Sequence, residues 1–393
     1  MKTLYTNNFQ FTQLNDASSY SPLGDGGAWY NIKNIETLDS PALVIYKERI
    51  KENIHLLKSM VNNNVAHLRP HVKTNKIAEV CSMIMDAGIT KFKCATIAEA
   101  EMLAMIEAPD VLLSYQPVGP KANRLLALIE KYPSTYFSCL VDNVDAAMHL
   151  SKVFSEKDQL LNVFIDLNTG MNRTGILPAG SLQLFEAVDL LPYINVVGLH
   201  AYDGHIRDTD TAERKFNTDE AFKKVIIVAE ALEVVTKLAL IIVAGGSPTF
   251  PIHAQRENIE CSPGTFVFWD WGYKHTLPDE PFDYAALVIT RVISIVDETT
   301  ITTDLGHKSV AAENPFPRVH FLNAPDAIPV SQSEEHLVAK VPDSSVYKVG
   351  DVLYGVPVHI CPTVALYERA IVIENNHAVD EWKVVARDRK INV

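Results

Sequence analysis

The chain has 393 residues, of which 47% are hydrophobic, so it is long enough to bury one large core and a smaller one. Its formal net charge of -13, with no long basic run, argues against a surface for nucleic acid or anionic membranes. No apolar run reaches the roughly 18 residues that cross a bilayer, and residues 1–20 lack the apolar core of a signal peptide, so we expect a cytoplasmic protein that acts on a small molecule.

From residue 65 onwards, short apolar runs alternate with amphipathic stretches of helical length, which is typical of a parallel sheet with helices on its outer side. Eight such units in about 200 residues, with no GxGxxG opening a helix, favour a TIM (β/α)8 barrel over an open doubly wound sheet. The predicted strands are 65–72, 92–96, 110–115, 137–142, 162–167, 195–201, 240–245 and 259–268. The predicted helices are 76–87, 97–107, 119–132, 144–155, 179–190 and 213–239.

The pattern changes after residue 275, where runs such as "AALVITRVISIV" and "DVLYGVPVHI" predict strands and no helix. The stretch "SPALVIYKERI", residues 40–50, is a further strand candidate that could pair with this later sheet. We therefore predict an N-terminal extension (1–35), a barrel (36–274) whose start pairs with the β domain, and a β-rich domain (275–393).

Lys73 is the first candidate for chemistry, because the C-terminal strand ends of a TIM barrel carry its active site. It follows His71 by two residues, so a continuing strand would direct both side chains to one side. Desolvation inside a barrel mouth favours an uncharged amine, which can act as a nucleophile or a base. The alternative is a surface lysine at the end of a strand.

Three other strand ends carry candidate binding residues. Gly246 and Ser247, in "AGGSPT", leave backbone N–H groups free to hold a phosphate, although a tight turn uses the same residues. Arg173 could bind an anionic group or a ring nitrogen, or simply a loop carbonyl. Tyr202 and His200 could contact a ring, whereas a histidine at such a position is more commonly a core residue.

The β-rich domain contains "PVHICPT", in which His359 and Cys361 are two residues apart on a strand-like run. Both side chains would leave the same face, as two ligands of one zinc ion must, with water or substrate in the remaining positions. The alternative is a buried cysteine beside an unrelated histidine. The five cysteines form no pattern typical of a disulfide framework.

These motifs, in this order and over most of the chain, resemble the fold-type III pyridoxal-phosphate (PLP) enzymes of the D-threonine aldolase and D-serine dehydratase group, relatives of alanine racemase. The resemblance implies that Lys73 forms the Schiff base with PLP and that Arg173 faces the pyridine nitrogen. It also implies a homodimer with each site near the subunit interface. The matching stretches are "LRPHVKTNK", "KCATIAEAE", "IDLNTGMNRTG", "GLHAYDGH", "AGGSPT", "SPGTFVFWD", "SEEHL", "PVHICPTVALYE" and "WKVVARD".

The remaining roles follow from the same resemblance. Tyr202 would line the PLP ring, Gly246 and Ser247 would hold its phosphate, and His359 and Cys361 would bind Zn2+ or another divalent metal. The family usually has histidine where this chain has Asn75, which changes a contact near Lys73. At the second metal ligand, aldolases of the group tend to carry aspartate and dehydratases cysteine, as here.

The sequence therefore predicts a PLP- and zinc-dependent lyase of D-3-hydroxy amino acids. The favoured reaction is dehydration of D-serine or D-threo-3-hydroxyaspartate to a 2-oxo acid and ammonia. Retro-aldol cleavage to glycine and an aldehyde is the first alternative. An amino acid racemase and a non-catalytic PLP-binding protein are the others.

Overall fold

The structure, a computed structural model, describes residues 27–237 and 239–393, so most of the predicted extension 1–35 lies outside the described residues. The strands, in chain order, are β1 (Ala42–Tyr46), β2 (Lys91–Cys94), β3 (Asp110–Leu113), β4 (Tyr136–Val141), β5 (Leu161–Leu167), β6 (Ile194–Ala201), β7 (Ile241–Ala244), β8 (Ile259–Cys261), β9 (Ala286–Asp297), β10 (Thr300–Thr303), β11 (Val319–Phe321), β12 (Ile328–Gln332), β13 (Leu337–Lys340), β14 (Val352–Pro357), β15 (Arg369–Glu374) and β16 (His377–Lys383).

Ten α-helices occur in the described ranges, and none is long and apolar enough to span a membrane. They are α1 (Lys47–Ser59), α2 (Ala78–Asp86), α3 (Ile97–Met105), α4 (Pro120–Lys131), α5 (Val144–Ser155), α6 (Ser181–Asp189), α7 (Thr211–Thr236), α8 (Phe250–His253), α9 (Trp271–Thr276) and α10 (Ile360–Val364). Short 3-10 helices occupy Ile35–Thr37, Val65–His67, Pro178–Gly180, Ser247–Thr249, Thr265–Val267, Ser344–Val346 and Val385–Arg387.

Strands β2 to β8 form one parallel sheet in chain order, and helices alternate with most of them. The helices bury one apolar face each, as α4 does with Ala122, Leu125 and Leu128. Side-chain caps fix several helix starts. For example, the side chain of Asn143 accepts the backbone N–H of Ala146 at the start of α5. The predicted class, a parallel β/α barrel followed by a β domain, is confirmed.

The predicted first strand, 65–72, is wrong over its first half, which forms the 3-10 helix Val65–His67. The rest makes two isolated bridges, Leu68 to Cys261 and His71 to Lys93, and so joins β8 to β2. Pro70 lies between the bridges and has no N–H to donate, which prevents a regular ladder, but its carbonyl accepts the N–H of Lys93 at 2.9 Å. This irregular segment closes the barrel.

Polar and apolar side chains are separated inside the barrel. Four residues of four different strands form their own buried cluster: Leu112, Leu140, Phe164 and Val243. Arg69, Asp110 and Glu260 form an ion-pair network at the bottom of the interior, and Lys93, Asp166 and His200 form a hydrogen-bonded chain at the mouth. Because β2 and β6 are not neighbours, the contact between Lys93 and His200 crosses the interior.

The second sheet contains β1 and the strands after residue 285. Its main order is β12-β13-β10-β9-β1-β15-β16, and β14 pairs with both β9 and β11. Strand β1 pairs in parallel with β15, with Val44 opposite Ile371, and antiparallel with β9, with Ala42 opposite Ile289. Strand β1 thus belongs to the second sheet, and the barrel begins with α1, directly after it.

Two predictions for the later part of the chain differ from the structure. The run 259–268 is a strand only over β8, because Pro263 follows it and the chain then turns into the 3-10 helix Thr265–Val267. The absence of helix after residue 275 is also wrong, since α10 follows β14.

Candidate active site

Lys73 lies at the mouth of the barrel, where the chain leaves the bridge at His71 and turns. It is half-buried, and its Nζ atom is 5.8 Å from the centroid of the Tyr202 ring. The backbone N–H of Lys73 donates to Nδ1 of His71 at 3.2 Å. Burial, and then the charges of Lys73 and Lys93, lower the pKa of His71 well below its usual value, so its imidazole is neutral and can accept this bond.

Tyr202 is the point at which the predicted residues meet. The guanidinium carbon of Arg173 is 4.9 Å from its ring centroid, and a Cβ atom at Gly246 would lie 3.0 Å from its Cε2. Any larger residue than glycine would therefore press on this ring. The structure brings Lys73, Arg173 and Gly246 together around one aromatic side chain, and Arg173 is exposed there.

Ser247 begins the 3-10 helix after β7, and its hydroxyl oxygen accepts hydrogen bonds from two backbone amides. The N–H groups of Gly264 and Thr265 point to Ser247 Oγ at 3.5 and 3.3 Å. Because two N–H groups of the loop after β8 and the Ser247 hydroxyl of the loop after β7 converge on one position, the site has the character of an anion-binding cradle.

A buried hydrogen-bond network fixes the loop that contains Gly246 and Ser247. Gly246 N–H donates to Thr249 Oγ1 at 3.3 Å, and the Thr249 hydroxyl donates to Asp203 at 2.8 Å. The other Asp203 oxygen accepts from His253 Nε2 at 2.8 Å. Burial raises the pKa of Asp203, but the bonds from His253 and Thr249 outweigh it and leave the pKa below its usual value. Asp203 therefore stays ionised and anchors the loop.

We expect Thr249→Val to weaken PLP binding roughly tenfold, because Gly246 loses its acceptor and buried Asp203 loses a donor. Titration of the apoprotein with PLP, followed by absorbance, measures this. Thr218→Val is the matched control, since buried Thr218 donates only to the carbonyl of Arg214 within α7. Equal PLP affinities for the two variants would contradict the anchoring role.

Lys93, His200 and Asp166 form a second buried network at the mouth. His200 Nδ1 is 2.7 Å from Asp166 Oδ1, and His200 Nε2 is 3.4 Å from Lys93 Nζ. Burial and the charge of Lys93 lower the pKa of His200, so the neutral ring donates from Nδ1 and accepts at Nε2. Lys93 was not among the predicted site residues, although a lysine within the buried run "KFKC" is itself a signal.

His359 and Cys361 do not lie on a strand, so the reason given for their pairing is wrong. Strand β14 ends at Pro357, His359 precedes α10, and Cys361 lies in the first turn of that helix. The chain nevertheless brings the imidazole and the thiol close enough for each to shift the pKa of the other. Cys361 Sγ also lies 3.1 Å from Thr74 Oγ1, so α10, the helix that follows β14, contacts the residue next to Lys73.

The lowered pKa of the Cys361 thiol suits a metal, whereas the His359 imidazole would have to release a proton to bind one. Burial opposes ionisation of Cys361, but His359 and then Lys73 lower the pKa of its thiol below the usual value. Burial likewise opposes protonation of His359, whereas Cys361 and Glu313 raise its pKa to about 9. The carboxylate of Glu313 is 2.6 Å from His359 Nδ1, an arrangement that orients histidine ligands in metal sites.

Both expected groups can be tested against the residues present. An amine, an aromatic ring and an N–H cradle meet the needs of PLP, which carries an aldehyde, a ring and a phosphate. A thiolate and an imidazole are donors that zinc prefers. Within residues 27–237 and 239–393, however, no group of three or more His, Cys, Asp or Glu side chains is placed to hold a metal ion. Zinc therefore stays a prediction.

Comparison with known families decides the broader identity. Residues 45–270 match the alanine racemase N-terminal domain family, and residues 285–373 match the putative serine dehydratase domain. The chain belongs to the alanine racemase N-terminal domain family. It is thus a member of the fold-type III PLP-dependent enzymes, as its motifs predict, and PLP is the cofactor that this family supports.

Relatives of this family member span two reactions. A D-threonine aldolase of Arthrobacter sp is 25% identical over 357 residues, covering 89% of this chain and 93% of the relative. A D-threo-3-hydroxyaspartate dehydratase of Delftia sp. (strain HT23) is 23% identical over 381 residues, covering 88% and 97%. The crystal structure of D-threonine aldolase from Filomicrobium marinum, 25% identical, superimposes with a TM-score of 0.82 over 92% of this chain and 98% of its own.

Proposed function

We propose that this protein is a PLP-dependent lyase of D-3-hydroxy amino acids, and that it dehydrates D-serine or D-threo-3-hydroxyaspartate to a 2-oxo acid and ammonia. The lyase class is supported by relatives that cover most of the chain. The dehydratase reaction is carried by one observation, the Cys361 thiol next to His359 and Thr74 at the mouth of the barrel. We also propose that the enzyme binds one zinc ion with this pair and works as a cytoplasmic homodimer.

When bound, PLP supplies a conjugated ring that accepts electron density from the α-carbon, and zinc supplies a Lewis acid for the β-hydroxyl group. Lys73 provides the amine at the mouth of the barrel that holds PLP and, once free, takes the α-proton. His359 and Cys361 are the zinc ligands, and Glu313 fixes the His359 ring by occupying Nδ1.

Arg173 explains why a metal is needed. Its guanidinium keeps its proton at all physiological pH values, so a pyridine nitrogen that faces it stays unprotonated. A ring in that state withdraws electrons weakly. Hydroxide is a poor leaving group in any case, so a weakly withdrawing ring would make assistance from a metal held by His359 and Cys361 more necessary.

The second candidate is retro-aldol cleavage at the same site, favoured by the D-threonine aldolase relative at 25% identity. Products separate the two reactions. The purified enzyme is incubated with D-serine, D-threonine and D-threo-3-hydroxyaspartate, and 2-oxo acid plus ammonia are scored against glycine plus aldehyde. Dehydration predicts the first pair from D-serine, and glycine as the sole amino product would overturn it.

We expect Cys361→Ala to reduce bound zinc from about one per chain to a trace and to lower turnover roughly 100-fold, while the absorbance of bound PLP persists. Metal analysis, absorbance and initial rates measure the three properties. Cys139→Ala, which removes a buried thiol from β4, is the control and should keep both zinc and turnover. If Cys361→Ala leaves every property unchanged, Cys361 is a packing residue.

A further inference from the structure

Lys93 is a lysine with 2% exposure in the interior of the barrel mouth. Among the described residues, no carboxylate lies within ion-pair distance of its amine, and its hydrogen bond goes to the uncharged ring of His200. Buried lysines are rare, and an unpaired buried ammonium is costly. The proposed reaction gives this residue no role.

The groups around Lys93 leave it without a counter-ion. Facing it are the cations Lys73 and Arg69, the histidines His71 and His200, and the carboxylates Asp166 and Asp203. The two carboxylates are committed elsewhere.

The carboxylate of Asp166 accepts from His200 and Gln116, and that of Asp203 accepts from Thr249 and His253. Each carboxylate therefore already has its own donors. The amine of Lys93 is left without a carboxylate of its own.

Lys93 lies beside the same aromatic ring as Lys73. Lys93 Nζ lies 5.8 Å from the centroid of the Tyr202 ring, at the same distance as Lys73 Nζ. Burial, and then the charge of Lys73, lower the pKa of Lys93 to about 7, while Asp203 and Asp166 oppose the shift. The amine can thus carry a charge at neutral pH when an anion arrives beside it.

We propose that Lys93 is a binding residue for the anionic cofactor, and that PLP is the counter-ion which this lysine lacks in the protein alone. The inference rests on the PLP site of the proposed function but not on the reaction. A purely structural lysine that only orients His200 would instead act through its hydrogen bond and independently of its charge.

The test measures the Kd of PLP from pH 6 to pH 8.5 by absorbance titration of the wild type, Lys93→Met and Lys93→Gln. Methionine keeps the apolar stem, and glutamine keeps a donor for His200 without the charge. We expect both variants to bind PLP roughly tenfold more weakly at pH 6. The difference in Kd between the wild type and the variants should be largest below pH 7, where Lys93 is charged. It should decrease as rising pH removes that charge.

Lys91→Met is the matched control, because Lys91 lies on the same strand but pairs with Glu260, and its PLP affinity should equal that of the wild type. A Kd ratio that does not change with pH, or wild-type affinity in Lys93→Gln, would overturn the proposal. If the three D-amino acids are not turned over while the Kd ratio behaves as expected, the lyase proposal fails alone. If turnover is found and the ratio is flat, this inference fails alone.

Discussion

Lys73→Arg should abolish the visible absorbance of bound PLP and lower turnover by a factor of about 1000 or more. Arginine preserves the positive charge and most of the length of the side chain, so the pocket around Tyr202 keeps its electrostatics. A guanidinium does not lose its proton, however, so it can neither attack an aldehyde nor accept the α-proton. An absorbance spectrum and initial rates with D-serine measure the two effects.

Lys76→Arg is the matched control, since Lys76 lies three residues later and its amine pairs with buried Glu99. It should keep both the colour and the turnover. Borohydride reduction of the wild type, followed by peptide mass analysis, should place PLP on the peptide that contains Lys73. A coloured and active Lys73→Arg enzyme would contradict the assignment, and the amine of Lys93 would be the next candidate.

The barrel could be predicted because its signal is local. Short buried strands and amphipathic helices follow each other at regular spacing, and the helices at 144–155 and 97–107 match the structure within two residues. The closing segment could not be predicted. It forms through hydrogen bonds to Lys93 on one side and to Cys261, nearly 200 residues away, on the other. Pro70 breaks its ladder, so its apolar pattern suggested a strand that the structure lacks.

The active-site residues also divide into those that a local motif predicts and those that only the folded chain brings together. Motifs predicted Lys73, Arg173 and Tyr202, and the structure places Lys73 and Arg173 beside the Tyr202 ring. Lys93 was not predicted, because its role depends on a contact with His200 across the barrel. No spacing in the sequence indicates that contact. For His359 and Cys361 the contact was expected but its cause was wrong, since a helix start rather than a strand brings the two side chains together.

Arg69→Met should lower the free energy of unfolding by about 3 kcal/mol, the largest stability effect that we expect. Arg69 is 1% exposed and lies in the segment that closes the barrel. Its guanidinium donates to both oxygens of Asp110 at 2.6 and 2.8 Å, and to Glu260 at 2.6 Å. Methionine fills much of the volume but leaves these carboxylates with fewer donors, so the loss is electrostatic. Urea unfolding followed by circular dichroism measures it.

A second substitution separates lost charge pairing from lost packing. In Arg69→Met with Glu260→Gln, the carboxylate that has lost Arg69 and keeps only Lys91 becomes a neutral amide, so about 1 kcal/mol of the loss should return. Lys91→Met removes the other cation on Glu260, but 32% of the Lys91 side chain is exposed, so its cost should be below about 1 kcal/mol. If Arg69→Met costs no more than Lys91→Met, the buried network does not hold the barrel closed. Closure would then depend on the backbone hydrogen bonds to Cys261, Pro263 and Lys93.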